Sequence, residues 1–142
     1  MPTYQTQPAS RYFCVEEAVS TPEYFEIMED HAVFRPFGQV SLQQAVQLVT
    51  SAIAFAREHH VLKLLVVMSG LTGFERPSII ERYFYAKKWA AASGGAVRVA
   101  LVDRPEMIDP PKFAFMAASN SGLLGEVFTS EDDALAWLLR VE

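Results

Sequence analysis

Cysteine is all but missing from this sequence: Cys14 stands alone among 142 residues. One thiol has no partner within the chain, so a domain stapled by internal disulfides is excluded. Cys14 lies in an alternating apolar segment and reads as a small buried hydrophobe, with a reactive thiol as the alternative. Positive charge is scarce too. Twelve Lys and Arg stand against seventeen Asp and Glu, a formal net charge of −5. Lys87-Lys88 is the sole basic doublet, and nucleic-acid binding needs a basic face to neutralise phosphates, so no nucleic-acid partner is expected. No apolar run approaches the roughly 18 residues a membrane-crossing helix requires. Residues 1–10 are polar, with Pro2 and Pro8, and lack the apolar core of a signal peptide. A cytoplasmic chain with no transmembrane segment is the resulting expectation.

Chemical machinery is sparse as well. Gly70 and Gly73 are too few to cradle a nucleotide, and neither a phosphate-binding glycine loop nor a nucleophile elbow occurs. The histidines are His31, in a turn, and His59-His60, which project in different directions from a helix end. Metal sites want spacings such as i, i+4 on a helix with further ligands, so neither a metal nor another cofactor is expected. A helix C-terminus accounts for His59 and His60 through the dipole. With no nucleophile–base pair and no paired carboxylates, the chain reads as a non-enzyme.

What is present is a globular composition, 51% hydrophobic and 20% charged. A chain of this size buries about 68–70% of its unfolded surface. Residues 1–11 read as a flexible tail, and 12–142 as a single domain. Alternation and β-formers predict strands over 12–19, 24–28 and 32–37, the last two closing a hairpin around Glu29-Asp30-His31. Pro36 places that last strand at an edge or at its end. A helix is predicted over 42–59, with Leu42, Val46, Val49, Ile53 and Ala56 on one face. Then come a central strand, 63–68; a helix, 78–92, closed by Ser93-Gly94-Gly95; a strand, 97–102; a helix, 109–119; a strand, 124–128; and a helix, 131–140.

Three helix starts share one design. Ser41, Ser78 and Ser130 each precede Gln44, Glu81 and Asp133 by three residues. This is capping-box spacing: the hydroxyl accepts the backbone N–H three residues on, and the side chain there reaches back. Asp133 has the shortest reach and is the weakest match. Alternating strands and helices with short links imply an α/β fold: a mixed, mostly parallel sheet of about five to six strands with four helices and an N-terminal hairpin region.

The order of these motifs resembles the SpoIIAA-like (STAS/SEC14-like) family, in particular its small bacterial members of unassigned function. The resemblance covers roughly residues 24–139. It rests on Phe37-Gly38-Gln39-Val40-Ser41, on Leu64 to Val67 leading into Ser69-Gly70-Leu71-Thr72-Gly73-Phe74, and on 97–102 with Arg104-Pro105-Glu106-Met107-Ile108-Asp109. The stretch 127–138 completes it. It implies an interaction domain like those of anti-sigma-factor antagonists. Members of that group carry a phosphorylatable Ser after an Asp at the start of the helix that follows the central strand. Glu75 and Arg76 hold the corresponding positions here, and the nearest serine is Ser78. The resemblance therefore implies a member without the usual phosphoserine switch.

In an open α/β sheet, ligands and partners dock at the carboxyl ends of central strands. The candidate loop is thus Ser69, Thr72, Phe74, Arg76 and Ser78, with Asp103 and Arg104 beside it if the two strands are neighbours. Ser69 and Thr72 either bind an anion or stabilise a turn. Ser78 is either a phosphoacceptor or a cap. Asp103-Arg104 orients a polar ligand or is a surface ion pair. On the second helix, Ile79, Ile80, Tyr83, Phe84, Ala90 and Ala91 form one apolar arc, expected to face the core, with Lys87 close by. Tyr85 and Trp89 fall on another side as a candidate interface, if neither tail nor loop covers them. The leading expectation is a bacterial protein-interaction domain, with a homodimer as one form of partner. The alternative is a small-ligand or lipid-binding module of SEC14-like type, with an apolar cavity lined by residues such as Phe74, Phe113, Phe115 and Met116.

Overall fold

The computed structural model describes residues 23–108 and 124–140. The predicted tail, the strand 12–19 with Cys14, and the helix 109–119 lie outside the described residues. Within them the chain runs β1 (Phe25–Ile27), β2 (Ala32–Phe34), β3 (Gly38–Gln39), α1 (Leu42–Glu58), β4 (Lys63–Val67), β5 (Leu71–Thr72), α2 (Ile79–Ser93), β6 (Arg98–Val102), a 3-10 turn (Pro105–Met107), β7 (Leu124–Phe128) and α3 (Glu131–Leu138).

Five strands form a sheet in the order β1-β2-β4-β6-β7. β1 pairs antiparallel with β2; every other pairing in that sheet is parallel. The expected hairpin and the central place of β4 are both present. β2 stops at Phe34, short of Pro36, which has no N–H to give a ladder.

β4 and β6 are buried on both faces, which is why each reads as an unbroken apolar run. Their alternate residues enter two cores. Leu64, Val66, Val99 and Leu101 join Phe34, Val49, Ile53, Ala86 and Trp89 under α1 and α2. Leu65, Val67, Ala100 and Val102 join Val33, Ala134 and Leu138 under α3. Burying one such side chain stabilises the fold by about 1.5–3 kcal/mol.

The caps behave as their spacing predicts. At α1 and α2 both halves of the capping box close: Gln44 N–H donates to Ser41 Oγ and Ser41 N–H to Gln44 Oε1. Glu81 and Ser78 repeat the exchange. At α3 Ser130 Oγ accepts from Asp133 N–H at 3.3 Å, the weaker form expected of Asp. Gly94 ends α2 at φ 58°, a left-handed conformation that costs glycine little.

Two short strands were not expected. Gly38–Gln39, in the lead-in to α1, pairs parallel with Leu71–Thr72, inside the stretch whose sequence predicts a turn. Two residues are too few to show a period, and only their meeting across 33 positions of sequence creates the ladder.

Candidate functional site

The parallel register puts Val67 opposite Val102, so the β4 and β6 loops leave the sheet side by side. The chain after β4 is tied at once to the β3 segment. Gly38 N–H donates to Gly70 O, Val40 N–H to Thr72 O, and Thr72 Oγ1 reaches Gly38 O at 3.5 Å. Gly73 sits at φ 102°, and a Cβ there would lie 2.6 Å from Val40 O. The Thr72 hydroxyl thus lies beside the β3–β5 pairing, at the limit of hydrogen-bond distance from Gly38 O. Ser69 and Arg76 are exposed, and Phe74 is half-buried. Ser78 is engaged as the α2 cap.

Asp103 and Arg104 stand beside this loop. Asp103 N–H donates to Phe128 O, and Asp103 Oδ1 accepts from Arg104 N–H at 2.8 Å. Arg104 Nη2 reaches Leu71 O at 3.4 Å, and its Nε lies 3.8 Å from Glu106 Oε2. Burial pushes the Asp103 carboxyl above its usual range, against the Arg104 N–H and guanidinium.

Two neighbours on α2 border this cluster: Arg82, which the sequence does not single out, and Tyr85, expected instead at an interface. Arg82 is 6% exposed, and its Nη2 donates to Met107 O at 2.7 Å, holding the 3-10 turn against α2. Tyr85 has its phenol pushed up to about 12, chiefly by burial, with Asp103 and Glu81 adding to the rise and Arg82 opposing it. Arg82, Ala86, Trp89, Ala90 and Ser93 are spaced i, i+4, i+7, i+8, i+11, the period of a buried helix face, but the competing apolar arc with Ile80 and Phe84 masks it in the sequence.

That stripe corrects the reading of α2. Trp89 is 1% exposed. Its Nε1–H donates to Val46 O at 3.2 Å, and Tyr85 packs on it at 4.5 Å between ring centroids. The pair is part of the core between α1 and α2, so it is no exposed interface. Most of the arc expected to face the core turns outward instead: Ile80 is 68% and Phe84 64% exposed, with Ile79 also exposed, while Tyr83 is half-buried and only Ala90 lies in the core. Lys87 is exposed, its ammonium 5.4 Å from the Tyr83 ring centroid. α2 carries apolar side chains all round, and the inward face was decided by Trp89 finding an indole-sized space and an acceptor on α1.

Between the two helices runs an open groove of about 560 Å³, bordered by Leu42, Val46, Gln47, Phe84, Tyr85 and Lys88. At the other end of the sheet, His31 Nδ1 meets Asp30 Oδ1 at 2.7 Å. His59 stacks on Phe55 with centroids 4.0 Å apart. Among the described residues no three His, Cys, Asp or Glu side chains gather to hold a metal. None of the described helices is long and apolar enough to cross a membrane.

No protein-family model matches the chain, and no curated protein matches it. Among solved structures it is similar to the NMR structure of the protein TM1081, at 12% identity over 99% of this chain and 100% of that one, with a TM-score of 0.46.

Proposed function

We propose that this chain is a SpoIIAA-like (STAS/SEC14-like) protein-interaction domain of the cytoplasm, acting without catalysis and without a phosphoserine switch. The observation that carries this reading is the outer face of α2. On the helix that follows the central strand, Ile80 and Phe84 stand in solvent with Ile79. Contiguous exposed apolar side chains of this size are characteristic of contact surfaces. The strand-end loop supports the reading by what its polar groups already do. The Thr72 hydroxyl lies beside a ladder, Ser78 caps a helix, and Asp103 and Arg104 hold each other and Leu71 O. A phosphate on Ser78 would have to displace the Glu81 carboxylate from the Ser78 N–H.

Capture from native cell extract tests this, with the wild type beside Phe84→Asp. The substitution leaves Trp89 and the core untouched, so loss of a captured partner reports on the surface and not on folding. Equal capture by both removes the α2 face from the reading. The α1–α2 groove favours a second reading, a bound apolar small molecule, since its volume falls within the range of ligand sites. Native mass spectrometry of gently purified protein would show the added mass.

A further inference from the structure

We infer that the outer face of α2 binds a second copy of this chain, helix against antiparallel helix, about a two-fold axis at Phe84. This deepens the interaction reading and rests on it. At about 100° per residue, Phe84 lies at the centre of the exposed arc. Ile80 and Lys87 fall on one flank and Glu81 and Lys88 on the other, all of them exposed. A two-fold contact joins one patch to itself. For antiparallel helices the same flanks meet with their direction reversed.

With the axis at Phe84, Glu81 therefore meets Lys88 of the second copy, and Lys88 meets its Glu81. The register is offset by one residue, about 1.5 Å along the helix. On the opposite flank Ile80 lies under the Lys87 stem of the second copy, an apolar contact that leaves the ammonium in water. The two Phe84 rings meet at the axis, beside the α1–α2 groove that Phe84 and Lys88 border. Within one copy Glu81 accepts the Ser78 N–H through Oε1, leaving Oε2 for a second partner, and Lys88 Nζ makes only a long 3.4 Å contact to Gln47 Oε1, which the pairing with the second copy replaces. An antiparallel pair in another register loses this charge match, and a parallel pair brings Lys against Lys. Two large exposed apolar side chains, Ile80 and Phe84, fall short of the roughly 800 Å² per partner of a standard interface. The dimer is accordingly a weak one, visible at micromolar concentrations and above.

Sedimentation equilibrium over a concentration series tests this on the full chain. The wild type should dimerise reversibly. Phe84→Asp, Lys88→Glu and Glu81→Lys should each weaken association by about tenfold or more. Mixing Lys88→Glu with Glu81→Lys should restore it, because each copy then supplies the charge the other needs. Glu81→Lys also opens the capping box, so thermal unfolding of each variant must first show a folded chain. The Lys88→Glu result stands without it. A wild type that stays monomeric, a dimer indifferent to Phe84→Asp, or charge variants that fail to re-associate when mixed would each overturn the inference. A monomeric wild type whose capture of a different protein is lost in Phe84→Asp removes the second copy while leaving the interaction reading in place.

Discussion

α1 and α2 lie on the same side of one sheet, open with the same Ser-x-x-Gln/Glu box, and share one core, yet only α1 shows its inward face in the sequence. Along α1 the buried Ala45, Val46, Val49, Ala52, Ile53 and Ala56 form one stripe, while Gln43, Gln44 and Gln47 face water. Along α2 the buried stripe contains Arg82 and Ser93, while Ile79, Ile80 and Phe84 are outside. The contrast teaches that an apolar period locates a face only when the opposite face is polar. A helix that is apolar on both sides is oriented by shape and hydrogen-bonding partners, and its second apolar face is left for something else to cover.

The sharpest way to break this comparison is to truncate α2 on its two sides. Trp89→Ala removes a buried indole and its bond to Val46 O, and should cost about 3–5 kcal/mol in urea unfolding. Phe84→Ala on the outer face should change stability by no more than about 0.5 kcal/mol in dilute solution. Equal losses would mean that both faces are covered within one chain.

The helix ends come next. α2 ends on Gly94 at φ 58°, where a Cβ would lie 2.6 Å from Arg57 Cζ, whereas α1 ends on His59 at φ −101°. Gly94→Ala should cost about 1–2 kcal/mol, since the left-handed conformation is strained for any residue with a Cβ. The helix starts should behave alike in both: Ser41→Ala and Ser78→Ala are each expected to cost about 1 kcal/mol. A markedly smaller loss at Ser78 would show that its hydroxyl is held for another purpose than capping.

The smallest effect at neutral pH is electrostatic. Of five tyrosines, Tyr85 has its phenol pushed up to about 12 by burial. An acid whose folded value is raised stabilises fully below its unfolded value, near 10, and loses that contribution as pH climbs toward 12. Ultraviolet titration should show a tyrosine ionising at about pH 12, and Tyr85→Phe should delete that step. A Tyr85 that ionises near the usual phenol value of about 10 would show the α2 inner face open to water.

Much of the architecture was legible because it is written in local terms. The runs Leu64–Val67 and Val97–Val102 announce strands buried on two faces, and the hairpin before them follows from its turn residues. The boxes at Ser41 and Ser78 and the glycine at position 94 mark helix ends. The candidate site was less legible. Adjacent parallel strands brought Asp103 and Arg104 beside the Ser69–Phe74 loop as their neighbouring strand ends suggested. Thr72's engagement with Gly38 O and the reach of Arg82 to Met107 O depend on contacts across more than 20 residues, which no local pattern encodes.

Sequence by itself determined the order of the longer strands and helices among the described residues and the starts of the three helices, because propensity, period and capping act within a few residues. Tertiary structure alone decided which side of α2 faces the core. Ile80 and Trp89 are both apolar, and hydrophobic burial has no direction of its own. Only the space beside α1, where the Val46 carbonyl accepts the indole N–H as well as the Thr50 hydroxyl, distinguishes them. That choice leaves Phe84 in solvent, and with it the surface on which the proposed function rests.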